Sequence, residues 1–261
     1  MPNQDHEKNR RAWNEMAEVH YRHPGYRVDE FLDGASTLKS IELEEVGDVS
    51  GLSLLHLFCQ FGLDTLSWAR LGASVTGVDI SDKSIEYARL LTEKAKLKAQ
   101  FIRCDVLDLI GKIDERFDIV FQSYGTHCWI SDLTRWAQVV THHLKPDGIF
   151  YIADFHPVAS VVEYDEVSYF KKGPYRYAGE PDYCDRTYRI KNQLVEWQHT
   201  LAEIVNSLIE AGLSILSLNE FDKSVDPGHD DWIRKGQYYY PPGESSRFPL
   251  MFSIKARKLK K

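Results

Sequence analysis

The segment from Leu54 to Gly62 has the features of a ligand-binding loop, because it follows a short apolar run and precedes an amphipathic stretch. In an open α/β sheet, ligands bind just beyond the carboxyl ends of the strands. Asp79 ends the next apolar run. A carboxylate there can accept hydrogen bonds from both hydroxyls of a ribose, although it can instead cap a helix starting near Ser81. We expect Asp79 to bind a ribose.

The loop also discriminates between nucleoside cofactors. A dinucleotide needs the pattern G-x-G-x-x-G so that the backbone can approach the pyrophosphate. Here the first two glycine positions hold Phe58 and Gln60, and only Gly62 remains. S-adenosylmethionine carries no phosphate and presents an amino-acid carboxylate and a sulfonium instead. The missing glycines therefore count more against a nicotinamide dinucleotide than against S-adenosylmethionine.

Polar residues that follow two later apolar runs can reach a reacting group. Ser123, Tyr124 and His127 follow the first of these runs, and His156 follows the second. An imidazole can act as a base near neutral pH, and a base is needed only where the nucleophile carries a proton. We name His127 and Tyr124 as the catalytic candidates. For both histidines the alternative is a hydrogen bond to loop backbone.

Alternating apolar and amphipathic runs supply the elements that must position these residues. We predict strands over Leu52–Leu57, Ser74–Val78, Ala99–Arg103, Phe117–Phe121 and Ile149–Ala153. We predict helices over Asp64–Leu71, from a cap at Ser81 or Asp82 through Ala95, and over Ile130–Leu144, with a turn at Lys145–Gly148. The alternation indicates a mostly parallel sheet with helices on both faces.

The pattern changes after Pro157, where residues 158–197 are rich in tyrosine and predict an inserted antiparallel hairpin or lid. A helix over Leu201–Ala211 follows, and then two strands, Leu213–Phe221 and Leu250–Ala256, joined by a loop rich in proline and glycine. The first fifty residues are predicted to be helical. We interpret 1–261 as a single domain with a cap (1–50) and a lid (158–197). The tyrosines of the insert and of the last loop either form an aromatic wall around a substrate or pack the insert against the sheet. They are Tyr164, Tyr169, Tyr175, Tyr177, Tyr183, Tyr188 and Tyr238–Tyr240.

The bulk composition narrows the functional classes. The 261 residues carry a net charge of −7, and the one basic cluster is Lys255–Lys261, which argues against a nucleic-acid partner. No apolar run approaches the ~20 residues of a membrane span, and the polar start, Met1–Arg11, does not resemble a secretory signal. The four cysteines lie far apart, which favours a reducing cytoplasm over a disulfide framework or a zinc site. No metal site is predicted.

Taken in order, these motifs resemble the class I methyltransferases that use S-adenosylmethionine. The resemblance is carried by His56–Ala69, Leu71–Ala73, Val75–Asp79, Phe117–Val120 and the turn Lys145–Gly148. More narrowly, the loop resembles that of a poorly characterised subgroup with the pattern H-L-x-C-x-F-G-L-D-T-L-S. Ala12–Ala17 and Pro249–Ser253 also fit that subgroup.

The resemblance implies a Rossmann-like α/β fold with a seven-stranded sheet whose last strand is antiparallel. It also implies that His56–Gly62 holds the methionine part, Asp79 the ribose and Asp105 the adenine amino group, although Asp105 can instead cap a helix. The predicted cofactor-binding residues are Trp13, His56, Phe58, Gly62, Asp79, Ile80, Asp105, Val106 and Ser123.

His56 departs from this family, most of whose members have an acidic residue there that can help hold the ammonium of the cofactor. A neutral imidazole can still accept one hydrogen bond, whereas an imidazolium would repel the positive charge.

The function that follows is methyl transfer from S-adenosylmethionine to a small molecule, in an enclosed pocket formed by the cap, the lid and the last loop. We expect a monomer or homodimer that binds neither nucleic acid nor membrane. Two alternatives stay open. One is a methyltransferase-like domain that binds the cofactor without catalysis, and the other is a nicotinamide-dependent oxidoreductase on a similar sheet.

Overall fold

Strands and helices alternate along this chain, for which the computed structural model describes residues 3–163, 167–171, 173–229, 231–243 and 246–260. The helices are α1 (Gln4–Arg22), α2 (Val28–Leu32), α3 (Ser40–Val46), α4 (Leu63–Arg70), α5 (Asp82–Lys94), α6 (Leu133–His143), α7 (Pro157–Glu163) and α8 (Leu201–Glu210). The strands are β1 (Ser53–Leu57), β2 (Ser74–Asp79), β3 (Ala99–Arg103), β4 (Phe117–Ser123), β5 (Leu144–Phe155), β6 (Tyr175–Tyr177), β7 (Leu194–Glu196), β8 (Leu213–Phe221), β9 (Ile233–Lys235), β10 (Tyr238–Tyr240) and β11 (Met251–Lys258).

Seven of the described strands form the central sheet, in the order β3-β2-β1-β4-β5-β11-β8. Strands β1 to β5 pair in parallel, while β11 runs antiparallel to both of its neighbours, β5 and β8. The predicted mostly parallel sheet with an antiparallel last strand is confirmed. Chain order reverses between β1 and β4, and such a switch point is where open α/β sheets bind ligands.

The central strand β1 is buried on both faces, as is typical of parallel sheets. Leu55 and Leu57 pack into the core cluster that includes α6 and α8. Leu54 lies in a second cluster on the other face, with Trp68 of α4 and Phe121 of β4. Full burial of each such side chain is worth about 1.5–3 kcal/mol. This packing holds the carboxyl ends of the strands in fixed positions.

Two predicted boundaries between β4 and β5 are wrong. Helix α6 begins at Leu133 rather than Ile130, because the Asp132 side chain caps it by accepting from the Arg135 amide at 2.9 Å. Strand β5 begins at Leu144, and the predicted turn lies inside it as an irregularity in the register.

The insert contains the predicted antiparallel pair, formed by β6 and β7. Within this segment the sequence alternates over Val167–Phe170 and Thr187–Ile190, a pattern that predicts strands there, but the strands lie elsewhere, and α7 was not predicted. The loop after Phe221 holds a second unpredicted pair, β9 and β10. Tyr164 lies outside the described residues. None of the described helices has the length and apolar character needed to cross a membrane.

Candidate functional site

The loop after β1 retains the backbone of a glycine-rich loop although two glycine positions are substituted. Phe58, Gln60 and Gly62 have φ values of 56°, 50° and 80°, in the left-handed region that side chains other than glycine disfavour. Holding Phe58 or Gln60 in this backbone conformation costs about 1–3 kcal/mol for each residue. At Gly62 a Cβ atom would lie 2.5 Å from the Phe101 ring, so no side chain fits.

Asp79 lies at the end of β2 and is fastened to this loop. One carboxylate oxygen accepts from the Gln60 amide at 2.9 Å, and the other accepts from the Ser81 amide at 2.8 Å. Ser81, not Asp79, caps α5, because its hydroxyl accepts from the Ser84 amide. Burial raises the pKa of Asp79 to about 6. A carboxylate oxygen can accept more than one hydrogen bond, so Asp79 retains acceptor capacity toward a ligand.

Asp105 follows β3 and is engaged on both oxygens. One oxygen accepts from the Leu107 amide at 3.0 Å, which caps a short 3₁₀ turn. The other forms a hydrogen bond with Nδ1 of His6. The capping alternative is thus realised, and a ligand amino group would compete with His6. Val106 lies in the hydrophobic core and is 2% exposed.

Helix α1 crosses the ends of three neighbouring strands. His6 contacts Asp105 after β3, as above, and Asn14 accepts from the Ser81 hydroxyl after β2 at 2.8 Å. Nδ1 of His20 lies 3.2 Å from the side-chain nitrogen Nε2 of Gln60, in the loop after β1. Trp13, on the same helix, packs edge-on against Trp129 with ring centroids 5.4 Å apart. The N-terminal helix therefore covers the loops where a nucleoside would bind.

A hydrogen-bonded cluster joins the insert to α1 and to the loop after β1. The fully buried His20 and Asp182 contact each other through Nε2 and Oδ2 at 2.7 Å. The Gln60 side chain donates to the Tyr26 hydroxyl at 2.7 Å, and that hydroxyl in turn contacts Tyr183 of the insert. Because Gln60 belongs to the loop after β1, this cluster connects both α1 and the insert to that loop.

His56 is buried at the end of β1 and is 3% exposed. Its Nδ1 contacts the Thr65 hydroxyl at 2.8 Å, while Nε2 has no partner within the described part of the chain. Burial lowers the pKa of His56 to about 4, although the negative charge of Asp64 acts in the opposite direction. The ring is therefore neutral at physiological pH, and the imidazolium that would repel a cationic cofactor does not form there.

Two carboxylates contact residues at the end of β4. Asp64, in the first turn of α4, accepts from the Thr37 hydroxyl at 2.5 Å and from the Ser123 hydroxyl at 3.1 Å. Glu42 of α3 is fully buried and accepts from the Tyr124 hydroxyl at 2.7 Å. Burial raises the pKa of Glu42 to about 7, and the charge of Asp64 adds to the effect.

His127 follows β4 and lies against a buried carboxylate at the end of β5. Its Nδ1 is 3.3 Å from Oδ2 of Asp154. Asp154 also accepts from the amides of Gly125, Thr126 and His127. Burial acts to raise the pKa of Asp154, but the His127 ring and the Thr126 hydrogen bonds outweigh it and lower that pKa.

His156 makes the backbone hydrogen bond that was its alternative role, because Nδ1 accepts from the Val158 amide at 3.1 Å. Its Nε2 lies 2.9 Å from Glu220. Glu220 lines a cavity of about 290 Å³ at the β8 edge of the sheet. A larger cavity of about 560 Å³ opens at the opposite, amino-terminal end of the strands, away from these polar residues.

The fold thus groups the predicted residues into two sets. Asp79, Ile80 and Asp105 lie at the ends of β2 and β3 under α1, whereas His56, Ser123 and Tyr124 lie at the switch point between β1 and β4. Sequence reasoning assigned no role to the groups that contact Asp105, Tyr124, Ser123 and His127, which are His6, Glu42, Asp64 and Asp154 respectively. Asp154 directly follows the predicted strand Ile149–Ala153, and Asp64 begins the predicted helix after the cofactor loop, so both positions carried a usable signal.

Known proteins share this sequence pattern and this fold. Residues 54–148 match a family model described as a methyltransferase domain. The ubiquinone biosynthesis O-methyltransferase of Nitrobacter winogradskyi is 35% identical over 134 residues, which are 51% of this chain and 50% of that protein. The corresponding protein of a Chelativorans species is 31% identical over 103 residues, 40% of each chain. The chain therefore spans at most about half the length of these relatives.

Solved structures extend the likeness in fold to most of the chain. An S-adenosylmethionine-dependent methyltransferase from Methanosarcina mazei superposes with a TM-score of 0.59 at 19% identity, covering 86% of this chain and 99% of that one. A putative methyltransferase from Listeria monocytogenes gives a TM-score of 0.58 at 20% identity, covering 84% and 97%. Residues 54–148 are thus similar in sequence to a methyltransferase domain, and the chain shares the fold of these methyltransferase structures.

Proposed function

We propose that this protein is an S-adenosylmethionine-dependent methyltransferase that acts on a small molecule. The observation that carries this proposal is the fastening of Asp79 to the left-handed loop after β1, inside the segment that matches the methyltransferase domain. A carboxylate with acceptor capacity at the end of β2 suits a ribose. The side chains of Phe58 and Gln60 suit a cofactor without a pyrophosphate.

The residues present fit the parts of that cofactor. Asp79 would hold the ribose, and the loop His56–Gly62, with the unpartnered Nε2 of His56 and with Ser123, would hold the methionine part. Asp105 would meet the adenine amino group once His6 releases it, while Trp13 and Ile80 would contribute apolar surface and Val106, packed in the core, would support the backbone next to Asp105. When bound, the cofactor supplies an electrophilic methyl group on a sulfonium. The loop sequence also supports assignment to the subgroup named above.

We infer that the methyl acceptor is a hydroxyl group, because the similar curated proteins are named O-methyltransferases. A hydroxyl carries a proton at neutral pH, so its methylation requires a base. We assign that role to His127, with Asp154 orienting the ring and stabilising its protonated form, as a carboxylate does in a catalytic triad. Asp154 is suited to this because the His127 ring and the hydrogen bonds from Thr126 lower its pKa despite its burial.

Tyr124 would act as a positioning residue rather than as a base. Its hydroxyl donates to Glu42, and burial together with the charge of Glu42 raises the pKa of Tyr124 well above its usual value. It therefore keeps its proton at neutral pH and fixes the side chain of Glu42. The sequence had offered Tyr124 as catalytic; its hydrogen bond favours this supporting role.

We propose that residues 1–50 form a cap and residues 158–197 a lid in a single domain. The cluster of His20, Asp182, Tyr26 and Gln60 supports this, because it ties both segments to the cofactor loop. An enclosed site favours a small acceptor, apolar or aromatic in part, over a protein or nucleic acid. We further propose a monomer or homodimer in the cytoplasm, where the four free cysteines would stay reduced.

Turnover separates this enzyme from a domain that binds the cofactor without catalysis. Purified protein is incubated with S-adenosylmethionine and a panel of phenols and aliphatic alcohols, and formation of S-adenosylhomocysteine is followed. We expect turnover with phenols. Limited proteolysis checks the closure, because cleavage within residues 1–30 and 158–197 should be suppressed when S-adenosylhomocysteine and an acceptor are present. Efficient methylation of intact RNA or protein would contradict the enclosed site.

A further inference from the structure

On the methionine side of the site, the described residues supply two carboxylates, Asp64 and Glu42, without a paired lysine or arginine. Asp64 and Glu42 are close enough for the charge of one to act on the other. Within the described part of the chain, the partners of these two carboxylates are hydroxyl and amide groups, and neither carboxylate forms an ion pair with a lysine or arginine. A buried carboxylate without a counter-ion is unfavourable, so this side of the site favours a cationic ligand.

The unpartnered nitrogen of His56 is an independent sign of a ligand at the same place. Its ring is 3% exposed, and its Nδ1 lies 2.8 Å from the hydroxyl of Thr65, the residue that follows Asp64, so the ring lies beside the start of α4. A buried polar atom is normally hydrogen-bonded, and here Nε2 is left open. Since the ring is neutral, it does not balance the two carboxylates. It leaves one hydrogen-bonding position available.

The acidic side chains on this side of the site lie on α4 and α3 rather than on β1. The resemblance assigns an acidic residue to position 56, on β1, as a group that holds the cofactor ammonium. In this chain that position is neutral, and the carboxylate whose charge acts on it is carried by α4 at Asp64, whose Oδ2 accepts from Ser123 at the end of β4. A second carboxylate, Glu42, is supplied by α3 and held by Tyr124.

We propose that Asp64 binds the amino group of the cofactor's methionine part, in place of an acidic residue at position 56, and that Glu42 reinforces the negative charge there. This inference rests on the proposed function. An ammonium donates three hydrogen bonds, and a carboxylate that is already fixed by two hydroxyls loses little freedom when it accepts one of them. The replacement of the acidic residue by His56 is then compensated within the chain.

The test compares two ligands that differ in the part Asp64 is proposed to bind. S-adenosylhomocysteine carries the amino-acid group, whereas 5′-methylthioadenosine lacks it. Their dissociation constants are measured by calorimetry for wild type, Asp64→Asn, Glu42→Gln and Glu44→Gln. Glu44 is an exposed residue of α3 and controls for the loss of one charge. Thermal melting verifies that each variant is folded.

We expect Asp64→Asn to weaken S-adenosylhomocysteine binding by about 10- to 100-fold, as for loss of a hydrogen bond between charged groups. Binding of 5′-methylthioadenosine should change by less than about threefold, because its nucleoside contacts are untouched. Glu42→Gln should show the same selectivity with a smaller loss, and Glu44→Gln should leave both ligands unaffected. Adding His56→Asp to Asp64→Asn should recover part of the lost affinity for S-adenosylhomocysteine alone.

Equal loss of affinity for both ligands would show a merely structural role for Asp64 and overturn the inference. An unchanged affinity of folded Asp64→Asn for S-adenosylhomocysteine would overturn it as well. In both cases the wild-type protein still binds S-adenosylhomocysteine, so the proposed function stands. Failure of the wild-type protein to bind either ligand would instead overturn the proposed function.

Discussion

The two ends of the candidate cofactor site differ in how their polar groups are satisfied. At the β2 and β3 ends, Asp79 and Asp105 accept from backbone amides, and α1 covers both. At the β1 and β4 ends, among the described residues, Nε2 of His56 has no hydrogen-bond partner and Asp64 and Glu42 are bonded to hydroxyl and amide groups rather than to a lysine or arginine. At the first end the carboxylates are hydrogen-bonded by the protein itself. At the second end two carboxylates lack a positively charged partner, which a cationic ligand can supply. Affinity for the nucleoside and affinity for the amino-acid group should therefore respond to different residues.

Removing the His127 ring should have the largest effect and should separate binding from chemistry. We expect His127→Ala to lower kcat by about 10²- to 10⁴-fold, the usual contribution of a positioned base. The dissociation constant of S-adenosylhomocysteine should be unchanged, since the ring is assigned to the acceptor. His142→Ala, on α6, serves as the control. A folded His127→Ala enzyme with wild-type kcat would remove His127 from the mechanism.

The raised pKa of Glu42 should make the free energy of unfolding depend on pH. Its pKa is raised in the folded protein from 4.5 to about 7, so the folded state holds this proton more tightly than the unfolded chain. Its contribution to stability is full below pH 4.5 and is lost as the pH rises through 7. Relative to wild type, the unfolding free energy of Glu42→Gln should thus rise by about 3 kcal/mol across this range. Urea titrations at pH 4.5 and 7.5 measure this difference in unfolding free energy. If the difference between Glu42→Gln and wild type is the same at both pH values, the pKa of Glu42 is not raised in the folded protein.

Substitution of Asp79 should weaken the nucleoside end alone. We expect Asp79→Ala to reduce the affinity for S-adenosylhomocysteine by about 1.5–3 kcal/mol, the range for hydrogen bonds to a charged group. The affinity for 5′-methylthioadenosine should fall by the same amount, because both ligands carry the ribose. Calorimetry provides both values. An unchanged dissociation constant in a folded variant would exclude Asp79 from ribose binding.

The smallest effect concerns the pH dependence of affinity, for which the sequence suggests His56 as the titrating group because its imidazolium would repel the cofactor. Because its pKa is lowered to about 4, His56 does not titrate between pH 5.5 and 8. Ionisation of Glu42 near pH 7 should instead strengthen binding of S-adenosylhomocysteine as the pH rises, by an amount on the order of 1 kcal/mol. This rise should persist in His56→Asn and disappear in Glu42→Gln. The reverse pattern would restore His56 as the titrating group.

The sequence predicted the elements whose signal is local. β3 and β8 match the predicted bounds, because each is a short run with turn residues at both ends. The left-handed loop could be placed from the spacing of Phe58, Gln60 and Gly62 relative to Asp79. By contrast, the pair β9–β10 was missed, since it lies in a loop whose prolines and glycines conceal short strands.

The partners of the site residues could not be predicted because they come from distant parts of the chain. Glu42 and Tyr124 are 82 residues apart, and His6 and Asp105 are 99 residues apart. Such contacts depend on how α1 and α3 pack over the sheet, which no local pattern encodes. The raised pKa of Glu42 also depends on full burial, and a glutamate in an amphipathic helix is more often exposed.

Calorimetric titration of the wild-type protein with S-adenosylhomocysteine and with NADH tests the central claim most directly. We predict saturable binding of S-adenosylhomocysteine at one site per chain and no binding of NADH at the same concentrations, because Phe58 and Gln60 occupy the glycine positions that a pyrophosphate requires. Binding of NADH without binding of S-adenosylhomocysteine would contradict the claim, and so would the binding of neither ligand.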